Sequence, residues 1–168
     1  MGYSSFIVGM KINRHGQAKI LTPSEIQKLF NEGFQSYRDR ALFGICLYTA
    51  CRINEACTLN TEDVYDKKMR VRSEIIFRRH NTKGKLAARA VPVIEELSGL
   101  LVKIKPDNRD GFLFPGRHGR GHINPESASR ILRETCESLG FEGVSTHSFR
   151  RTALTQMSNV GIPLRIIQ

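Results

Sequence analysis

No apolar run in this chain approaches the roughly 18 residues that a membrane-crossing helix needs. The longest, around Leu42 to Ala50, suits a buried helix. Met1 to Met10 has no basic region ahead of its short apolar stretch, so a secretory leader is not expected. Cysteine is sparse: Cys46, Cys51, Cys57 and Cys136 form no Cys-x-x-Cys pair, and three of them fall in one apolar helical stretch. Reduced, buried thiols are the reading, which fits a reducing compartment and a cytoplasmic protein. Internal repeats, low-complexity tracts and flexible interdomain linkers are also missing. What remains is one unit of 168 residues, 40% hydrophobic and 25% charged, which excludes disorder and allows a real core.

Acidic side chains are the scarce charged class. Against 26 Lys and Arg stand 16 Asp and Glu, for a net charge of +10 and a pI near 9.8. A field of that sign attracts phosphates over a Debye length, so nucleic acid is the default partner; a basic protein kept soluble by its charge is the plainer alternative. The basic residues cluster. Arg78, Arg79, His80, Lys83, Lys85 and Arg89 form one group, and Arg117, His118, Arg120 and His122 another. His118 and His122 are spaced like a metal pair on a helix, but Gly116, Gly119 and Gly121 argue for a loop near phosphate. Neither a metal nor a cofactor is expected.

Along the chain, residues 1–19 read as an arm with a short strand around Phe6 to Ile12, and residues 20–168 as the domain. Thr22-Pro23-Ser24-Glu25 is a capping box with proline at the first helical position, opening a helix to about Gly33 that buries Ile26, Leu29 and Phe30. Arg38 to Cys51 predicts the central core helix. The period then changes: Val71 to Arg79 and Ala87 to Val93 read as a β-hairpin with the basic tip Asn81-Thr82-Lys83-Gly84-Lys85. Helices follow over Ile94 to Lys105 and from Asn124 to Leu139, the second stopped by Gly140. A last long helix, capped by Ser145 or Thr146, has Phe149, Ala153, Leu154, Met157 and Val160 on its apolar side. The expected fold is α+β, mainly helical, with a small antiparallel β-sheet.

Several residues in this frame suit phosphate chemistry. His147 and Arg150 share a helix face and can converge on one anionic oxygen cluster, helped by the free amides of the helix start. Arg52 directly follows the most apolar run, with Glu55 as its obvious orienting partner; from these residues alone an ordinary helix pair without function explains the two somewhat better. Lys83 at the hairpin tip can reach a substrate phosphate, or stay solvated as most lysines in hairpin turns do. Arg130 and Arg133 face away from their helix's apolar side, toward DNA or toward water.

Taken together, these motifs resemble the catalytic domain of the tyrosine recombinases, or phage integrases, over roughly Ile20 to Gln168. Leu21-Thr22-Pro23-Ser24-Glu25-Ile26 is similar to the family's opening helix. Thr49-Ala50-Cys51-Arg52-Ile53-Asn54-Glu55-Ala56 resembles the box with its first catalytic arginine. Thr82-Lys83-Gly84-Lys85, with Arg89, Val91 and Pro92 after it, resembles the hairpin carrying its catalytic lysine. Thr146-His147-Ser148-Phe149-Arg150-Arg151-Thr152 resembles its His-x-x-Arg box. The resemblance implies Arg52, Lys83, His147 and Arg150 as catalytic residues and Glu55 as support. It implies contacts to double-stranded DNA from Arg79, Lys85, Arg117, Arg120, Arg130, Arg133 and Arg151, with self-assembly on DNA when full length.

This sequence departs from the family pattern at two minor positions, Ala50 in place of a usual glycine and Asn54 in place of a small residue. By the resemblance, the family's second histidine or tryptophan and its tyrosine nucleophile are expected after Gln168, and no core-binding domain of the kind that closes a clamp on DNA is expected within this sequence. None of Tyr3, Tyr37, Tyr48 or Tyr65 stands at the nucleophile's position. The expectation is a domain that activates phosphate without forming the covalent intermediate itself. Other readings are a non-catalytic DNA-binding module of the same fold, a relative of the type IB topoisomerases, and, least supported, a metal-binding regulator built on His118 and His122.

Overall fold

The computed structural model describes residues 16–78, 87–106 and 110–161. The expected arm strand at Phe6 to Ile12 and the hairpin tip with Arg79, Lys83 and Lys85 lie outside the described residues. The capping box forms as the sequence predicts: Glu25 N–H donates to Thr22 Oγ1 at 3.2 Å, and Thr22 N–H to Glu25 Oε2 at 2.9 Å. Helix α1 (Pro23–Lys28) then widens into a π-helical turn, Leu29–Gly33, closed by Phe34 N–H on the Leu29 carbonyl at 2.8 Å. Of its three expected core residues only Leu29 is fully buried; Ile26 and Phe30 are partly covered.

Helix α2 (Tyr37–Thr49) buries every residue from Ala41 to Leu47, and a helix apolar on all sides belongs inside. It packs against α5 (Glu95–Leu101) and α7 (Thr146–Asn159). Gly44 permits the first approach, since a Cβ there would lie 2.5 Å from Leu100 Cδ1. Phe43 builds the second: it stacks on Phe34 at 4.8 Å and on Phe149 at 5.3 Å between ring centroids. Phe149 is fully buried, which contributes on the order of 2 kcal/mol and anchors the first turn of α7 to the core.

Between α2 and the sheet come two short helices, α3 (Ile53–Cys57) and α4 (Thr61–Val64). The hairpin is shorter than its β-branched run implies, because a strand extends only as far as its partner's ladder. Strands β1 (Glu74–Phe77) and β2 (Arg89–Pro92) pair antiparallel, with Phe77 opposite Arg89 and Glu74 opposite Pro92, while Val71 instead bridges Tyr65. Helix α5 likewise stops at Leu101, short of Lys105. Helix α6 (Pro125–Leu139) matches expectation, with Asn124 Oδ1 accepting from Glu126 N–H at 2.8 Å and Gly140 left-handed at φ 70°. In α7 the expected apolar side ends early: Val160 is 75% exposed. All four cysteines are free and buried, and burial pushes the Cys57 thiol up to about 12. Among the described residues, no helix is long and apolar enough to cross a membrane.

Candidate active site

The site is assembled where α2 ends, α3 begins and α7 runs past them. Ala50 terminates α2 in the left-handed conformation, φ 54° and ψ 22°. That turn aims its carbonyl at α7, where Arg150 Nη1 donates to it. Arg52, two residues on, is the N-cap of α3. One turn of backbone therefore holds both arginines of the predicted pair, Arg52 through its own chain and Arg150 through the Ala50 carbonyl. Burial lowers the Arg150 guanidinium pKa, and the positive charges of Arg52 and Arg89 lower it further, while Glu55 opposes them.

Glu55 is 1% exposed, and its partner is not the one expected. Oε2 accepts the Arg52 backbone N–H at 2.7 Å, so it caps α3, but the ion pair runs from Oε1 to Arg89 Nη1, also at 2.7 Å. A side chain at the third helical position reaches back to the cap amide, and its other oxygen is taken by Arg89. Arg89 also lies over the Phe77 ring, 4.5 Å from its centroid. Sequence reasoning left Arg89 without a role. Its alternation with Val91, both half-buried between exposed Ala90 and Pro92, was the available signal for an inward-facing arginine.

His147 is exposed in the first turn of α7 and lines a groove of about 1030 Å³ between α6 and the loop into α7. Arg130 and Arg133 line the same groove; Arg133 has Glu137 at 4.0 Å. Ser145 is the N-cap of α7 by backbone, yet among the described residues its buried Oγ has no hydrogen-bond partner; the Ser148 Oγ instead accepts from Ser145 N–H at 3.0 Å. Arg117 and Arg120 are exposed on the glycine loop. Arg151 faces elsewhere: half-buried, it donates to the Ala18 carbonyl at 2.6 Å, and Leu21 N–H donates to Thr152 Oγ1 at 2.9 Å. Its guanidinium fastens Ala18 to α7, as Thr152 does Leu21, a structural duty that competes with the DNA contact expected of Arg151.

The two histidines of the glycine loop do not form a helical pair. His118 is left-handed at φ 57° in a 3₁₀ turn, whereas His122 bridges Pro115 and packs its ring on Phe112 at 5.1 Å. Among the described residues no cluster of three or more His, Cys, Asp or Glu side chains is arranged to hold a metal.

In this largely helical domain the turn that ends α2 leads into Arg52 and receives Arg150, beside the helix start that bears His147. Residues 19–168 match the model of the phage integrase family, and the chain belongs to that family. It is 28% identical over 153 residues to tyrosine recombinase XerA of Pyrococcus furiosus, covering 89% of this chain and 51% of that protein. With tyrosine recombinase XerC of Corynebacterium efficiens it shares 30% identity over 133 residues, covering 78% and 41%. The crystal structure of a XerA recombinase superposes with a TM-score of 0.69 at 25% identity, over 89% of this chain and 52% of that one. The chain thus spans about half the length of the curated relatives it matches.

Proposed function

We propose that this chain is the phosphate-activating part of a site-specific DNA recombinase, acting without metal on a DNA phosphodiester. Attack on phosphorus builds charge on the two non-bridging oxygens, and paired guanidiniums can neutralise it bidentately. Arg52 and Arg150 take that role. Lys83 serves as general acid toward the leaving 5′ oxygen, and His147 binds the phosphate or moves the nucleophile's proton. The nucleophile is a tyrosine outside this sequence. Its oxygen bonds to phosphorus as the bond to the 5′ oxygen breaks, and the resulting protein–phosphate ester conserves the energy needed to rejoin the strand. Double-stranded DNA is the substrate, gripped also by Arg117, Arg120, Arg130 and Arg133, with Arg79 and Lys85 from the hairpin. Self-assembly on DNA belongs to the full-length protein, in the cytoplasm.

The observation that carries this reading is the Arg150 to Ala50 contact, which ties the guanidinium of α7 to the turn presenting Arg52. Electrophoretic mobility shift with a nicked suicide duplex tests it. The chain should bind the duplex with steep salt dependence, Arg150→Ala should weaken binding roughly tenfold, and no protein-linked DNA should accumulate. Unchanged affinity in Arg150→Ala overturns the clamp, and a trapped covalent adduct overturns the assignment of the nucleophile.

A further inference from the structure

Arg89 has no role in the mechanism just given, yet it is built into the site. On one side its guanidinium meets the buried Glu55 carboxylate at 2.7 Å; on the other it lies 4.5 Å from the Phe77 centroid, its cross-strand neighbour. A planar cation held by a ring and a carboxylate has little rotational freedom left, which a flexible ammonium cannot reproduce. Fixing Arg89 therefore fixes Glu55, whose second oxygen takes the Arg52 N–H. The chain of contacts runs from the sheet, through one carboxylate, to the backbone that carries Arg52.

We propose that Arg89 is a positioning residue for the Arg52–Arg150 clamp: by holding the Glu55 carboxylate in place it sets the first turn of α3, and hence the direction in which Arg52 meets a phosphate. This rests on the reading of Arg52 and Arg150 as phosphate ligands. Without Arg89, Glu55 keeps its burial but loses the partner that selects its rotamer, and the oxygen on the Arg52 amide is no longer held there. A second joint of the same design serves as an internal control. Asp63 Oδ2 accepts the Asn60 N–H at 3.1 Å at the start of α4, and Asp63 Oδ1 is held by Arg78 Nε at 2.7 Å. Arg78 is thus to Asp63 what Arg89 is to Glu55, but at a turn that carries no arginine.

The test combines three readouts on the ¹⁵N-labelled chain: unfolding by urea, the Arg52 amide resonance with its hydrogen exchange, and affinity for a short DNA duplex. Arg89→Leu should shift the Arg52 amide, speed its exchange and weaken duplex binding roughly tenfold, with Arg89→Lys in between. Arg78→Leu should lower stability and leave both Arg52 and the affinity as they were. Because Arg89→Leu leaves a buried carboxylate unpaired and can unfold the chain, it is repeated together with Glu55→Gln, which removes that charge. In the double variant stability should return while the affinity stays reduced. Affinity that recovers along with stability, or an Arg52 amide unmoved by Arg89→Leu, overturns the proposal. A wild-type chain that binds no duplex, with the Arg52 amide responding as described, overturns the DNA reading and supports the joint.

Discussion

The turns that open α3 and α4 are built alike and charged differently. In each, an acid at the third helical position takes the cap residue's N–H, and an arginine from the hairpin takes the acid's other oxygen. At α4 Arg78 meets two carboxylates, Asp63 and Glu62, and hydrogen bonds to both raise its pKa. At α3 the single carboxylate Glu55 faces Arg89 and lies in the field of Arg150, with Arg52 beside it. There burial and neighbouring cations push the Arg150 pKa down instead. The same capping device thus carries an excess of acid in one place and an excess of arginine in the other, and under the proposed function only the second would attract an anion.

Removing the acid from each joint should separate the two most clearly. Glu55→Ala leaves the Arg89 guanidinium without its buried carboxylate, next to Arg150, and should cost about 3–5 kcal/mol. Asp63→Ala loses a cap and a charged hydrogen bond, while Arg78 keeps Glu62, so about 2 kcal/mol is expected. Urea unfolding measures both. Added inorganic phosphate should restore stability to Glu55→Ala alone, since only there does a ligand fill the place of the lost charge. Equal rescue of the two variants would abolish the distinction.

What the sequence showed of these joints was their local half. The capping box at Thr22, the proline and glycine boundaries of α6 and the apolar run of α2 depend on residues within a turn of one another, and each forms as spacing predicts. Arg52 and Arg150 were singled out from their own surroundings, before anything placed them on one turn. Glu55 was assigned to Arg52 because Arg52 is its neighbour along the chain. Its true partner, Arg89, is 34 positions away, and only the pairing of β1 with β2 brings it there. Arg151 is expected to contact DNA, and its acceptor at Ala18, 133 positions away, is likewise invisible in its local sequence. Periodicity reports which face of an element is inside, not which residue waits there.

A smaller effect on stability, with a larger one on binding, is expected when the arginine itself is removed. Arg52→Ala relieves crowding of like charges, so stability should stay level or rise by up to about 1 kcal/mol. Affinity for duplex DNA should fall, and the slope of log affinity against log salt should lose about one unit. Asn60, the matching cap of α4, makes no side-chain capping bond, and Asn60→Ala should change neither quantity. Titrations at several salt concentrations decide it. If Arg52→Ala destabilises like a lost structural contact, the α3 turn is another neutral joint and the contrast disappears.

The approach to α3 also differs from the approach to α4 in backbone, and this gives the smallest effect. Ala50 is left-handed, whereas Leu59, ahead of α4, is not among the described non-glycine residues with positive φ. An L-residue there costs roughly 1–2 kcal/mol, which is why glycine suits the position in the family pattern. Ala50→Gly removes that strain but gives up about 0.5–1 kcal/mol in chain entropy and about 0.8 kcal/mol from a buried methyl group. Ala50 is 2% exposed, so the methyl counts in full. The contributions nearly cancel: Ala50→Gly should alter stability by less than about 1 kcal/mol and leave duplex affinity unchanged, because the carbonyl that receives Arg150 keeps its direction. A marked loss of affinity at unchanged stability would show that the side chain at position 50, and not only the left-handed turn, holds that carbonyl on the guanidinium.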